Sequence, residues 1–394
     1  MNLIKSTKFF TLIILAFAVA SCDSDNDNGG SALDDAKAGA IAQYATIVHA
    51  NYSDAHTDAV ALQTAIDALV ASPSETTLEA AKDAWLASRE TYGQTEAFRF
   101  YGGPIDDEDG PEGQLNAWPL DESYIDYVIV GDEPVDGTNI INSPNDFPEI
   151  TAEILAGLNE QGSETNISTG YHAIEFLLWG QDLSEGAGGG ERPYTDYVTD
   201  GSGTNANQER RANYLVEVTK LLVNDLSSLV SAWEEGASYR VSFESSVDES
   251  IENIVSALGK LSKGELAGER MFVAYDLQSK EDEHSCFSDN THRDIVTNAL
   301  GIQNVFLGSY GNLTGPSIYD VIAMEDEELA NELKAQIASS VELCEAIQDP
   351  FDQEFLNEAG RTRIFAAITS LRAQGDQLAE AASALGFEFD PTDI

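Results

Sequence analysis

Basic residues are scarce in this 394-residue chain, which has 20 Lys and Arg against 69 Asp and Glu and a formal net charge of −49. A surface this negative repels phosphate backbones, and the composition therefore argues against nucleic-acid binding. It also repels anionic lipid headgroups, so membrane attachment has to come from acyl chains rather than from a basic face. Salt adaptation is an equally simple source of the acidity.

Long apolar runs are also rare, and the clearest one lies at the start of the chain. Phe9–Ala18 is apolar, follows Lys5 and Lys8, and is short for a membrane span, which predicts a signal peptide over residues 1–21. Val19-Ala20-Ser21-Cys22 has the small residues and final cysteine of a bacterial lipobox. We therefore expect lipidation at Cys22, the alternative being an ordinary signal peptide with an incidental cysteine.

The residues after this cysteine are acidic and rich in glycine, with nothing apolar to bury. Residues 22–31 are therefore predicted to be a disordered tether that holds a folded body off a membrane. The expected location is the bacterial cell envelope, as an outer-membrane lipoprotein that is either periplasmic or surface-exposed. Cysteine is otherwise nearly absent. Cys286 and Cys344 can pair in an oxidising envelope or remain free thiols, and the sequence does not choose.

The apolar spacing is helical almost throughout, which predicts an all-α fold. A division near residue 240 predicts two packed helical bundles, residues 32–240 and 241–394, with a cleft between them. Residues 101–121 and 183–206 lack a helical period and are predicted loops, and Tyr124–Val130 is the only run with strand-like alternation. The predicted helices are Leu33–Val70, Leu78–Phe100, Ile150–Leu158, Ser168–Trp179, Asn207–Glu235, Glu244–Leu261, Glu265–Lys280, Arg293–Val305, Asp326–Ala346 and Gln353–Leu385.

The sharpest local motif is Gly170-Tyr171-His172-Ala173-Ile174-Glu175. His172 and Glu175 are three residues apart, so on a helix they project from one face, where an imidazole and a carboxylate can ligate one metal ion. Gly170 has no side chain and would let another backbone approach the start of the helix. Taken alone, the His-x-x-Glu spacing is common and is more often a solvated pair or a buried structural histidine.

A second segment strengthens the metal hypothesis. Residues 281–294 hold two of the five histidines of the chain, His284 and His292, among five carboxylates. The pattern Thr291-x-x-Asp294 resembles a capping box, which explains some of the polar residues but not the histidine pair. A polar turn with stray histidines is the plain interpretation. The functional one is a second ligand set that meets the His-x-x-Glu helix across the cleft.

The motif resembles the Gly-x-His-x-x-Glu signature of the imelysin family, also called peptidase family M75. Phe100–Ile105, Asn116–Leu120 and Glu281–Asp294 are similar to other recurrent stretches of that family, the last especially to its iron-regulated branch. The four motifs occur in family order, and the resemblance covers residues from about 35 to 385.

The resemblance implies a bilobed all-helical fold, an envelope location and an association with iron uptake, with transporter components as possible partners. The expected cofactor is a metal ion, iron or else zinc, because imidazole and carboxylate donors suit both. Besides the signature pair, the expected site includes further ligands and cleft residues. These are His284, Asp289 and His292 as ligands, and Pro104, Trp118, Pro119, Gly170 and Ser288 in the cleft.

The peptidase label finds little support in the residues. The zinc-peptidase signature His-Glu-x-x-His is absent, and its inverted form would need histidine at position 176, where the chain has Phe176. If the protein were a peptidase, His172 and Glu175 would be its catalytic candidates. A metal-binding function requires fewer catalytic groups than a peptidase, because iron accepts imidazole and carboxylate ligands together. A lipoprotein that only docks partners is the third possibility.

Overall fold

The computed structural model describes residues 32–131, 133–184 and 186–394; the predicted signal peptide, Cys22 and the tether lie outside these ranges. No helix within them is long and apolar enough to cross a bilayer. The α-helices are α1 Ala32–Ala71, α2 Glu75–Thr95, α3 Glu112–Leu115, α4 Glu122–Ile125, α5 Ala152–Leu158, α6 Gly170–Trp179, α7 Gln208–Trp233, α8 Ser238–Ser245, α9 Val247–Lys260, α10 Val273–Leu277, α11 Thr291–Leu307, α12 Ile318–Glu325, α13 Glu327–Glu345, α14 Phe351–Phe355 and α15 Glu358–Leu385.

Shorter elements complete the described chain. Two antiparallel ribbons pair β1 (Val128–Val130) with β2 (Glu133–Val135), and β3 (Ser309–Tyr310) with β4 (Leu313–Thr314). A π-helix, Leu261–Phe272, joins α9 to α10. Turns of 3₁₀-helix cover Glu96–Phe98, Tyr194–Tyr197 and Lys280–Asp282. The predicted all-α class is confirmed.

The strand-like run is only partly a strand. Residues 122–125 form α4, because Asp121 caps that turn by accepting a hydrogen bond from the Ser123 amide at 3.0 Å. The ribbon begins at Val128 and pairs with the segment that follows it. A local side-chain cap therefore overrides the alternating pattern over the first residues of the run.

Helix α1 is the long central element of the core. It packs mainly against α2 and α7, and it also contacts α9 and α12 from the second half of the chain. Its buried face consists of small and aromatic residues at helical spacing, including Tyr44, Val48 and Tyr52. Helix α8 covers the residues around position 240. The division of the chain into two bundles stays a prediction.

Helices α2, α6 and α11 form the part of the fold that carries the candidate site. Helix α2 packs against both α6 and α11, and α11 also lies against the π-helix. All ten residues of α6 are buried. Since a helix that is apolar on most sides is stable only inside a protein, α6 functions as an internal support for its two polar side chains.

Candidate functional site

The backbone around Gly170 fixes the position of α6. Gly170 has φ +80°, and a Cβ atom there would lie 2.5 Å from the Leu115 carbonyl oxygen, so only glycine fits. The backbone at Leu115 approaches the start of α6, as the missing side chain of Gly170 suggested. The Trp85 indole N–H donates to the Tyr171 carbonyl at 3.0 Å and ties α6 to α2.

His172 and Glu175 form a hydrogen-bonded pair inside the protein. The His172 Nδ1 atom lies 2.8 Å from Glu175 Oε2, and the side chains are 1% and 0% exposed. The other carboxylate oxygen accepts hydrogen bonds from the Ser288 amide and hydroxyl at 2.9 and 2.7 Å. Both oxygens of Glu175 are therefore engaged, and the carboxylate orients the imidazole through Nδ1.

The other ring nitrogen of His172 is the unusual atom of the site. Among the described residues, His172 Nε2 is buried and has no hydrogen-bond partner. Buried polar atoms are nearly always paired, so an unpaired one marks a place where a ligand, a water or an ion completes the structure.

A second histidine–carboxylate pair faces the first. His284 Nδ1 lies 2.8 Å from Asp294 Oδ2, and the two side chains are 2% and 1% exposed. The rings of His172 and His284 meet edge to face, with centroids 4.7 Å apart, and the Trp118 ring lies 5.8 Å from that of His284. Two imidazoles, each held by its own carboxylate, thus converge from distant parts of the sequence.

Buried charges surround this pair of rings. Arg89 donates from Nε and Nη2 to Asp294 at 3.1 and 3.0 Å and from Nη1 to Asn116 at 2.7 Å. Asn116 in turn donates to Glu96 at 3.2 Å, and Arg270 donates to the same carboxylate at 2.7 Å. Asp294 and Glu96 each have a guanidinium partner, as burial of charge requires.

Burial and these charges determine the protonation of the site. Burial, with the nearby Arg89 cation, lowers the pKa of His172 to about 3, and burial with Arg270 lowers that of His284 to about 3. Burial also raises the pKa of Glu175 to about 8. Asp294 is buried as well, but the Arg89 guanidinium holds its pKa well below the usual range. Both imidazoles are therefore neutral at neutral pH, which is the form that ligates metals.

The remaining predicted ligands lie in other surroundings. The His292 Nε2 atom is 3.3 Å from the Cys344 carbonyl oxygen. Asp289, at φ +60°, accepts from the Gly188 amide at 2.8 Å. Within the described ranges no three His, Cys, Asp or Glu side chains are arranged to hold a metal ion. The five-residue ligand set stays a prediction.

The predicted cleft residues are distributed around the site. Ser288 binds Glu175 directly, and Trp118 contacts His284. Pro119 follows Trp118 through a cis peptide bond. Pro104 is half-buried in the turn that follows α2. Cys286 and Cys344 are both free thiols in the structure.

The predicted capping box at the start of α11 is wrong. Asn290 is the residue before the helix, and no side chain caps the first turn. Asp294 instead points into the core, where it binds Arg89, His284 and the Ser285 hydroxyl. A carboxylate that neutralises a buried guanidinium gains more than one that caps an exposed turn.

The buried network around Arg89 was not predicted from the sequence. Arg89 lies four residues after Trp85 and three before Tyr92, on the apolar face of α2, and that placement was the available signal. Arg270 and Glu96 gave no comparable signal, because both occur in stretches with other charges.

A pocket of about 670 Å³ adjoins the buried rings. Ser288 and Asn290 line it, and the same two residues bind Glu175 and Asp294. Gly188 and Asp289 form part of its rim. One layer of residues therefore separates solvent in this pocket from the two histidine–carboxylate pairs.

Comparison with known proteins agrees with this architecture. The chain is 23% identical over 344 residues to the iron-regulated protein A of Synechococcus elongatus, covering 84% of this chain and 82% of the relative. A crystal structure described as a candidate iron-regulated protein A precursor from Parabacteroides distasonis superposes with a TM-score of 0.68 at 18% identity, covering 90% of this chain and 97% of that one. An imelysin-like protein from Psychrobacter arcticum gives 0.63 at 14% identity with the same coverage.

The family assignment rests on a match over most of the chain. The family model described as imelysin, peptidase M75, matches residues 48–378, which include both histidine–carboxylate pairs. This chain belongs to the imelysin family.

Proposed function

We propose that this protein captures a metal ion, iron in the first place, as cargo at the His172 and His284 imidazoles. The observation that carries the proposal is the buried and unpartnered Nε2 atom of His172, whose Nδ1 is fixed by Glu175. Histidine ligands of metals commonly have their second nitrogen held by a carboxylate in this way. The pair formed by His284 and Asp294 repeats the arrangement.

The chemistry of the donors suits iron and also zinc. Neutral imidazole nitrogen ligates both metals, and the closest charges, Arg89 and Asp294, balance each other. The name of the cyanobacterial relative, iron-regulated protein A, supports iron as the first choice. Two imidazoles leave further coordination positions to water or a chelator, which suits an ion that is handed on to another protein.

The proposal places the protein in the cell envelope. The relative from Parabacteroides distasonis is described as a precursor, in keeping with the signal peptide and lipobox expected in this chain. We infer that Cys22 carries a lipid that attaches the protein to the outer membrane, and that iron-uptake transporter components receive the cargo. Loss of palmitate labelling in a Cys22→Ala variant tests the anchor.

A metallopeptidase is the less supported alternative. A peptidase needs a water-activating base with a free oxygen, but both oxygens of Glu175 are bonded and the side chain is buried. A polypeptide substrate would also have to reach His172 through the Ser288 layer. The metal-binding function requires only a small ion to pass.

Calorimetric titration of protein lacking residues 1–22 tests the proposal. We expect one Fe²⁺ or Zn²⁺ per chain, with at least tenfold weaker binding in His172→Gln and His284→Gln. His49→Gln is the matched control, because His49 lies on α1 outside the predicted ligand set and its variant should bind the metal normally. Circular dichroism establishes that each variant is folded.

Three outcomes would overturn the proposal. The first is tight binding that survives both substitutions, which places the metal elsewhere. The second is chelator-sensitive cleavage of unfolded casein that is lost in the same variants, which identifies a peptidase. Absence of any metal binding to folded wild-type protein would leave the partner-docking lipoprotein as the better description.

A further inference from the structure

A second pocket, of about 450 Å³, lies where α6 ends. Its lining residues include Trp179, Tyr127, Ile129 and Gly180. The Arg192 amide donates to the Trp179 carbonyl at 2.7 Å, which brings the chain back beside the end of the helix. Volumes of this size are typical of sites for small molecules or for one large side chain.

Arg192 supplies a buried polar group to this pocket, whose lining also includes Gln181, Ser184, Glu191 and Asn205. Its side chain is 1% exposed, and its Nη1 donates to Asp126 and Asp196 at 2.7 and 3.2 Å. The Nε–H is buried and has no acceptor among the described residues. Gly180, which also lines the pocket, lies beside this donor, since a Cβ there would be 3.7 Å from Nε.

The charges around Arg192 indicate what kind of acceptor fits. Arg192 and Arg211 together are balanced by Asp126 and Asp196, which bind them directly. Glu191 also lines the pocket. A carboxylate ligand would be repelled by Glu191 without finding an unbalanced cation, so a neutral carbonyl oxygen is the matching acceptor.

The surroundings indicate an apolar group attached to that carbonyl. Tyr127, Ile129 and Trp179 contribute apolar groups to the lining beside its polar residues, and Leu183, which also lines the pocket, is 57% exposed. The neighbouring ribbon exposes Val130 by 63% and Val135 by 44%. Exposed apolar residues around a pocket that contains arginine and tryptophan are typical of protein-binding surfaces.

We propose that this pocket binds an aromatic side chain of a basic polypeptide segment, whose backbone carbonyl accepts from Arg192 Nε. The preference for a basic segment follows from the net charge of −49, which attracts cationic partners and repels acidic ones. The site is independent of metal binding, since His172 and His284 take no part in it.

Titration with three capped tripeptides tests this proposal. Binding is monitored by nuclear magnetic resonance through the Trp179 indole signal, which is assigned with a Trp179→Phe variant. The probes are acetyl-Lys-Phe-Lys-amide, acetyl-Glu-Phe-Glu-amide and acetyl-Lys-Ser-Lys-amide. We expect saturable shifts with the first peptide and at least tenfold weaker binding of the other two. Equal binding of all three, or no shift with any, would overturn the proposal.

Two variants examine the assigned contacts. Arg192→Lys keeps a positive charge beside Asp126 and Asp196 but removes the Nε donor, and it should weaken the first peptide at least tenfold. Arg210→Lys is the control, because Arg210 donates to the carbonyls of Ile140, Ile141 and Phe147 outside this pocket.

The rim provides a test that does not depend on the buried ion pairs. Leu183→Ser changes an exposed side chain and should leave the fold intact. It should weaken binding of the first peptide several-fold. If Arg192→Lys fails to fold, unchanged affinity in Leu183→Ser refutes the proposed site. Unchanged affinity in a folded Arg192→Lys protein refutes it as well.

Discussion

Two ion pairs between α2 and α11 allow a direct comparison of buried and exposed charge. Arg89 and Asp294 are each 1% exposed, whereas the adjacent residues Glu90 and Arg293 form a bidentate pair in which both side chains are 42% exposed. The same two helices therefore carry both pairs, with the charges in opposite order.

We expect Asp294→Asn to cost about 3–5 kcal/mol of unfolding free energy, because it leaves the Arg89 charge buried without a carboxylate. Glu90→Gln should cost at most about 1 kcal/mol, because solvent screens the exposed pair. Because Asp294 also binds His284 and the Ser285 hydroxyl, the difference between the two losses reports burial of the ion pair together with these contacts.

Urea unfolding at pH 7 of protein lacking residues 1–31 measures both losses, with circular dichroism and tryptophan fluorescence as probes. Coincident transitions from the two probes justify a two-state treatment, and an unchanged slope assigns the shift in midpoint to stability. The reasoning fails if Glu90→Gln is as destabilising as Asp294→Asn. It also fails if the Asp294 variant lies within about 1 kcal/mol of the wild type.

Three further predictions concern backbone fit, pH and thiol chemistry. Gly170→Ala should destabilise the protein by about 1–3 kcal/mol in thermal unfolding, since φ is +80° and the new Cβ would clash with backbone. In the control Gly157→Ala, in α5, the new Cβ meets nothing, so that variant should be neutral or slightly stabilising. Burial raises the pKa of Asp225 to about 7, so this carboxyl binds a proton more tightly in the folded than in the unfolded state. Its contribution to the free energy of unfolding therefore falls as the pH rises from about 4 to about 7. The Asp225→Asn variant should therefore be more stable than wild type by on the order of 1 kcal/mol at pH 8 and no more stable at pH 3.5. An equal gain in unfolding free energy at both pH values would contradict this. Burial raises the pKa of the Cys286 and Cys344 thiols, the latter to about 12. Both should therefore react slowly with a thiol reagent in the folded protein and fast in urea. Immediate reaction of one equivalent of thiol in the folded protein would disprove this prediction.

Much of the helical architecture was predictable because apolar periodicity is a local signal. The predicted Leu33–Val70 helix matches α1 within one residue at each end, and the predicted Ile150–Leu158 helix ends with α5. Breaks inside apolar runs were harder to predict. The stretch predicted as one helix from Gln353 divides into α14 and α15 around Asn357, whose side chain caps the second helix.

The candidate site was predictable in part for the same reason. The helical spacing of His172 and Glu175 is local, and it correctly placed both on one buried helix. Which nitrogen binds the carboxylate depends on rotamers and on Ser288, more than a hundred residues later. The role of Asp294 depended on Arg89, a partner about two hundred residues away, so a local capping pattern was misleading.

The pairing of buried ions across the chain has a consequence for dissection of the protein. Arg89 and Glu96 belong to the first 240 residues, but their partners Asp294 and Arg270 belong to the remainder. Either fragment expressed alone would carry orphan charges in its interior and should be recovered insoluble. Co-expressed, the two pieces should rescue each other, which makes this chain suited to a split-reporter format in which solubility itself signals reassembly.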